Sequence, residues 1–166
     1  RRFVDYMRNT STNLVPRAGL GDWYDYGGET KGPSQFTPVE LSAMATFYRC
    51  ARIVSDTASL LDKSTDQQRY AELAGQIRDA FNTRYFDGKA EYQNTGSPQC
   101  ANSMALVLSL VPPGREQAVL DRVIADLRQR GNQQTAGDIG FVYLLESLAR
   151  NGRHDVIYDL TIRTNM

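Results

Sequence analysis

The chain has 166 residues, the length of one ordinary domain and enough to bury about 70% of its unfolded surface. Its 19 Lys and Arg balance 19 Asp and Glu, and no basic block follows Arg1-Arg2, so no net field draws it to nucleic acid or to an anionic membrane. No apolar run approaches the roughly 20 residues that span a bilayer, and no secretory signal is visible.

Arg1-Arg2-Phe3 lacks a Met, Val4-Asp5-Tyr6-Met7 reads as the middle of a helix, and Met166 follows directly on a helical stretch. The expectation is a piece of a longer polypeptide, so missing signals say nothing of compartment. Cys50 and Cys100 both fall in apolar helical stretches and read as small core side chains. Two cysteines make no disulfide framework. With His154 as the single histidine and no Cys-x-x-Cys, no zinc site is expected. No other metal or cofactor is implied.

The first clear helix is predicted from Thr37-Pro38-Val39-Glu40. Thr37 is placed to cap, Pro38 suits the first helical position and Glu40 completes a capping box. Met44, Phe47, Tyr48, Ala51, Val54, Ala58 and Leu61 follow helical spacing, and Leu41, Ala43, Ala45 and Ile53 widen the apolar face. After a stop near Asp62-Lys63, Ser64-Thr65-Asp66-Gln67 reads as a second capping box. The helix behind it carries one stripe, Tyr70, Leu73, Ile77, Ala80, Phe81 and Arg84, with Glu72, Gln76, Arg78 and Asp79 on the wet side. Asp87-Gly88 signals a turn, and Ala90-Glu91-Tyr92-Gln93 is a candidate extended piece.

Ser97-Pro98-Gln99 opens a third helix, apolar or small from Ala101 to Val111 and therefore buried all round, until Pro112-Pro113-Gly114 ends it. Arg115 to Arg130 is amphipathic, with Leu120, Val123, Ile124 and Leu127 inward, and Gly131-Asn132 supplies a left-handed stop. Thr135-Ala136-Gly137-Asp138 opens a fifth helix, apolar on most sides through Ile139, Phe141, Val142, Tyr143, Leu144, Leu145 and Leu148. Asn151-Gly152 closes it. A last amphipathic helix runs from Asp155 to about Thr164.

Buried and half-wet helices thus alternate. Connections from a buried helix to the next are short, whereas those leading into buried helices are long and polar. This pattern reads as an all-α fold of three consecutive αα-hairpins, about half of an (α/α)6 toroid. The hairpins differ too much for a tetratricopeptide or ankyrin period. Residues 1–166 are read as a single segment, an incomplete six-hairpin barrel whose open flanks would be apolar.

In such a ring the inner helices share one direction, so the ends near Thr37, Ser97 and Thr135 gather on one face. Free N–H groups and helix dipoles there favour oxygen-rich ligands. The loop from Gly19 to Gly32 is the strongest candidate, because Trp23, Tyr24 and Tyr26 are interleaved with Asp22, Asp25 and Glu29. Aromatic faces stack on the C–H faces of sugars while carboxylates take hydroxyl protons. The competing reading is a loop folded on itself with Trp23 as its plug. Asp22 and Asp25 are spaced as a potential acid/base pair, yet such acids more often cap turns. Gln99 and Asp138 occupy comparable first-turn places, able to reach a ligand or to serve the helix. Glu146, inside an apolar helix, is expected to pair with a neighbour, and His154 to be exposed. No Gly-x-Ser-x-Gly, Walker loop or Rossmann fingerprint occurs.

Gly19-Leu20-Gly21-Asp22-Trp23 with Tyr24-Asp25, then Thr37-Pro38 opening a helix, resembles the catalytic domain of bacterial α-L-rhamnosidases (glycoside hydrolase family 78). The likeness continues at Gln99, at Leu108-Ser109-Leu110-Val111-Pro112, at Thr135-Ala136-Gly137-Asp138-Ile139-Gly140, at Tyr143-Leu144 and from Leu148 to Gly152. It spans nearly the whole chain in the family's order. The resemblance implies an (α/α)6 toroid and inverting hydrolysis of terminal α-L-rhamnose by two carboxylates. It places Trp23 and Asp22 in the rhamnose pocket. The family's general acid lies in an acidic Asp/Arg/Glu motif well before the Gly-Asp-Trp loop, and its general base beyond the equivalent of Met166. Neither motif appears here, so no catalytic residue is expected in this segment. Its expected substrate-binding residues are Asp22, Trp23, Tyr24, Asp25, Gln99 and Asp138. The expected partners are a rhamnose-containing glycoside and the remainder of the chain's own catalytic domain. Alternatives are another toroid enzyme acting on a different sugar, or a helical scaffold that binds a protein.

Overall fold

The computed structural model describes residues 1–25, 32–92 and 96–162. Tyr26 and Glu29 of the aromatic loop, Gln93 and Thr164 lie outside them. Seven helices occupy the described residues, and no strand does. They are α1 (Arg2–Thr10), α2 (Val39–Leu60), α3 (Ser64–Tyr85), α4 (Pro98–Val107), α5 (Glu116–Gln129), α6 (Gly140–Arg150) and α7 (His154–Thr161). None is long and apolar enough to cross a membrane.

The alternation read from the sequence is present. Helices α2 and α3, α4 and α5, and α6 and α7 pair as hairpins, while α4 also packs against α2 and α6. Helix α4 is enclosed, with every residue from Pro98 to Ala105 buried. Helix α5 buries Val119, Leu120, Val123, Ile124 and Leu127 along one stripe. Arg84 departs from the predicted stripe of α3: it is exposed, with its guanidinium over the Tyr85 ring, and Tyr85 takes the inward place. Helix α6 is apolar on most sides but not covered on all of them, since Phe141 and Val142 are exposed.

Several helix ends differ from expectation. Helix α2 starts at Val39 with Pro38 as its cap, and no side chain caps it. The Thr37 hydroxyl instead lies beside the Cys100 thiol. The box at Ser64 is also unused, because Lys63 is the capping residue and Ser64 is already helical. Helix α4 stops at Val107, where Ser109 enters the left-handed region and the Leu110 N–H returns to the Ala105 carbonyl. Helix α6 starts at Gly140 rather than near Thr135. Two ends are as read. The Ser97 side chain caps α4 with Pro98 in its first turn. Gly131 and Asn132 are left-handed, sending the Asn132 N–H back to the Leu127 carbonyl at 2.7 Å.

The loop between α3 and α4 makes its own small core. Phe86 and Tyr92 form an isolated antiparallel bridge, and the Asp87 carboxylate accepts from the N–H groups of Lys89, Ala90 and Glu91. Tyr92 stacks obliquely on Phe81 and Phe86, and its hydroxyl donates to Asn82. Helix α1 is tied across to α3, because Asp5 Oδ1 accepts from Arg69 and from the Tyr70 hydroxyl. Between α1, the segment 16–21 and the first half of α2 lies an open, mostly apolar groove of about 870 Å³, lined by Phe3, Tyr6, Met7, Leu20, Ala43 and Ile139 among others.

Candidate functional site

The three long connections leading into α2, α4 and α6 meet on one face, tied to one another by hydrogen bonds. Phe36 accepts from the Gly96 N–H at 2.7 Å. There is no room at Gly96 for a side chain, since a Cβ would stand 2.4 Å from the Phe36 ring. Gln99, fully buried, accepts from Thr135 N–H at 2.7 Å and donates to Asp126 and to the Gln133 carbonyl. The Thr135 hydroxyl donates to Ser97 at 2.6 Å. Asp126, also buried, receives Arg130 at 2.9 Å.

The aromatic loop is held from both ends. Asp22 is 0% exposed. Its Oδ2 accepts from Gly137 N–H at 2.8 Å, and its Oδ1 from Ile139 and Gly140 N–H at 3.1 and 2.7 Å. A carboxylate thus fills the amino end of α6, where orphan donors and the helix dipole both favour negative charge. The intervening Asp138 N–H donates to the Trp23 carbonyl at 2.7 Å. Asp25, also buried, accepts on Oδ2 from Gln35 and Phe36 N–H at 2.7 and 2.6 Å. Its Oδ1 has no hydrogen-bond partner among the described residues. Burial pushes the Cys100 thiol up, and the neighbouring Asp22 carboxylate adds to that.

The glycines of this region are set by space. A Cβ on Gly137 would stand 2.1 Å from the Trp23 carbonyl oxygen, and one on Gly140 2.6 Å from Asp22 Oδ2 and 2.8 Å from Cys100 Sγ. Gly-Asp-Trp and Thr-Ala-Gly-Asp-Ile-Gly are therefore the two halves of one close contact.

The six residues read from the sequence as sugar-binding fall into two groups. Asp22, Asp25 and Gln99 are buried and accept from backbone N–H groups. Both Asp22 oxygens are engaged by backbone donors, and one Asp25 oxygen is. Trp23, Tyr24 and Asp138 face solvent, with Trp23 39% and Tyr24 57% exposed. The two rings stand edge to face, 6.0 Å apart at 72°, and make an open corner. Tyr24 adopts a left-handed backbone, anchored by its N–H to the Gly32 carbonyl at 2.8 Å. Glu146 pairs with Arg150, and His154 is exposed. Among the described residues no group of His, Cys, Asp and Glu could hold a metal ion. Sequence reasoning missed Asp126 and Thr135, whose partners lie on other elements; the one local signal was Arg130, one helical turn after Asp126.

The family model of the bacterial alpha-L-rhamnosidase six-hairpin glycosidase domain matches residues 1–166. The chain belongs to this family. Its three hairpins are accordingly part of an (α/α)6 toroid. An alpha-L-rhamnosidase of Alteromonas sp. (strain LOR) is 25% identical over 154 residues, which are 91% of this chain and 17% of that protein. The alpha-L-rhamnosidase structure from Dictyoglumus thermophilum superposes with a TM-score of 0.88 at 26% identity, covering 99% of this chain and 19% of that one. The Streptomyces avermitilis alpha-L-rhamnosidase complexed with L-rhamnose superposes with a TM-score of 0.85 at 29% identity, covering 99% and 15%. The chain therefore spans less than a fifth of each of these relatives.

Proposed function

We propose that this three-hairpin segment works within an α-L-rhamnosidase that removes terminal α-L-rhamnose with inversion, and that it supplies one wall of the sugar pocket. The observation that carries the reading is the exposed Trp23–Tyr24 corner beside Asp138, on the face where the long loops of all three hairpins meet. One ring face packs on the apolar side of the deoxy sugar and its methyl group. The Asp138 carboxylate accepts from hydroxyls. Asp22, Asp25 and Gln99 belong to the pocket's frame.

Inversion needs an acid that protonates the leaving oxygen and a base that activates a water on the opposite face of the sugar, with about 6.5–9.5 Å between the two carboxyl groups. Those groups are assigned to the rest of the catalytic ring. The test is L-rhamnose release from an aryl α-L-rhamnoside by the full-length polypeptide, with other aryl glycosides as controls. Release from the rhamnoside alone supports the reading; a folded protein that leaves it intact removes the substrate claim. Trp23→Ala in the same protein is expected to raise the Michaelis constant more than it lowers the melting temperature. An unchanged Michaelis constant with a lower melting temperature would return Trp23 to a structural role.

A further inference from the structure

We infer that Asp22 is a positioning residue, which sets Trp23 against Asp138 through the amino end of α6 and does not itself touch the sugar. The inference rests on the sugar-pocket reading given above. Four consecutive N–H groups, from Gly137 to Gly140, point at residues 22 and 23. Three go to the Asp22 carboxylate and one to the Trp23 carbonyl. That last bond joins the backbones of the two residues whose side chains are exposed, Trp23 and Asp138. Their separation is therefore fixed by backbone, and the backbone is fixed by one buried carboxylate.

The residue type matters. A carboxylate presents two oxygens with about four acceptor sites, whereas an amide presents one oxygen and a donor NH2. Asn at position 22 satisfies one side of the cluster and turns its NH2 toward donors on the other. Burying a charge also costs free energy unless it is fully hydrogen-bonded. A neutral Ser or Asn is an adequate helix cap where one or two donors need a partner. The carboxylate is distinguished by holding Gly137 and the Ile139–Gly140 pair together, and so the peptide between them that meets Trp23. Gly137 reports on the same contact from the other side, since any Cβ there would collide with the Trp23 carbonyl.

The experiment compares Asp22→Asn, Trp23→Ala and the double variant in the full-length protein, with binding of free L-rhamnose and the kinetics of an aryl α-L-rhamnoside measured well below every melting temperature. Asp22→Asn is expected to weaken rhamnose binding and raise the Michaelis constant roughly tenfold. The turnover number should change much less, because the contact acts on bound substrate and transition state alike. In the Trp23→Ala background, Asp22→Asn should add little, since its effect passes through the ring it positions. Gly137→Ala, which keeps the carboxylate, should reproduce the rise and the same non-additivity, and it serves if Asp22→Asn does not fold. Additive losses would mean that Asp22 contacts the sugar on its own, overturning the inference while leaving the pocket in place. A lowered melting temperature with unchanged rhamnose binding would also overturn it, leaving Asp22 a helix cap only. Normal rhamnose binding by Trp23→Ala would overturn the pocket reading and the inference together.

Discussion

Gly140 shows how little freedom single positions on the loop face have. Its α-carbon sits where the Asp22 carboxylate and the Cys100 sulfur converge, so a methyl group there has no flexible neighbour to displace. Crowding a packed interior typically costs about 1–3 kcal/mol. Gly140→Ala is expected to lower the melting temperature of the full-length protein by several degrees, and a thermal-shift measurement checks it. An unchanged melting temperature would mean that the amino end of α6 can back away from Asp22. The same packing explains why the burial of Asp22 is not legible in the sequence. Its partners are 115 to 118 residues away, and residue type alone does not tell a carboxylate that faces solvent from one that faces a distant helix end. Trp23 and Tyr24, by contrast, needed no distant partner to be recognised as the aromatic part of the loop.

At the scale of helices, hydrophobic spacing carried the reading and capping chemistry was less faithful. The stripe of α5 and the enclosure of α4 follow directly from apolar spacing, because burial acts on the whole length of a helix. Caps depend on the dihedral angles of one residue. The Thr37 and Ser64 boxes failed because Pro38 and Lys63 occupy the capping positions, while Ser97 held because it takes the extended backbone of a capping residue and its oxygen meets the Gln99 N–H. Ser97 has a double duty: its oxygen accepts from Gln99 N–H within α4 and from the Thr135 hydroxyl on the approach to α6. Removing a capping hydroxyl costs about 1 kcal/mol, and leaving a buried partner unsatisfied adds about 1–3 kcal/mol. Ser97→Ala is therefore expected to destabilise by more than an ordinary cap, and Ser97→Ala/Thr135→Val by less than the sum of the single changes. Denaturant titration of the four proteins closes that cycle; strict additivity would show that the two hydroxyls act separately.

For the whole molecule, the groove beside α1 and the uncovered side of α6 are the decisive features. Phe3, Tyr6 and Leu20 are more than half exposed at the groove, and Val142 is 61% exposed on α6. Contiguous apolar surface of this kind drives association unless something covers it. The polypeptide 1–166 produced by itself is expected to self-associate, with light scattering after size exclusion giving a mass above the 18.6 kDa of one chain. A stable monomer would show that these surfaces tolerate water. The hairpin order itself was legible because each connection announces its length through Gly, Pro and polar runs. The bonds of Asp22, Gln99 and Thr135 between hairpins were not, since no local signal says which side chains become neighbours.

The bonds from Asp22 to the start of α6 join parts of the chain 115 to 118 residues apart, with two hairpins between them. Closing so long a loop is entropically costly and is repaid late in folding. The corner of Trp23 and Tyr24 is thus among the last features to be completed. Helix content can be nearly native while the aromatic corner is still unset. In the proposed pocket, a partly folded chain would present its helices without its grip on a sugar, so sugar binding would report that the whole arc has closed.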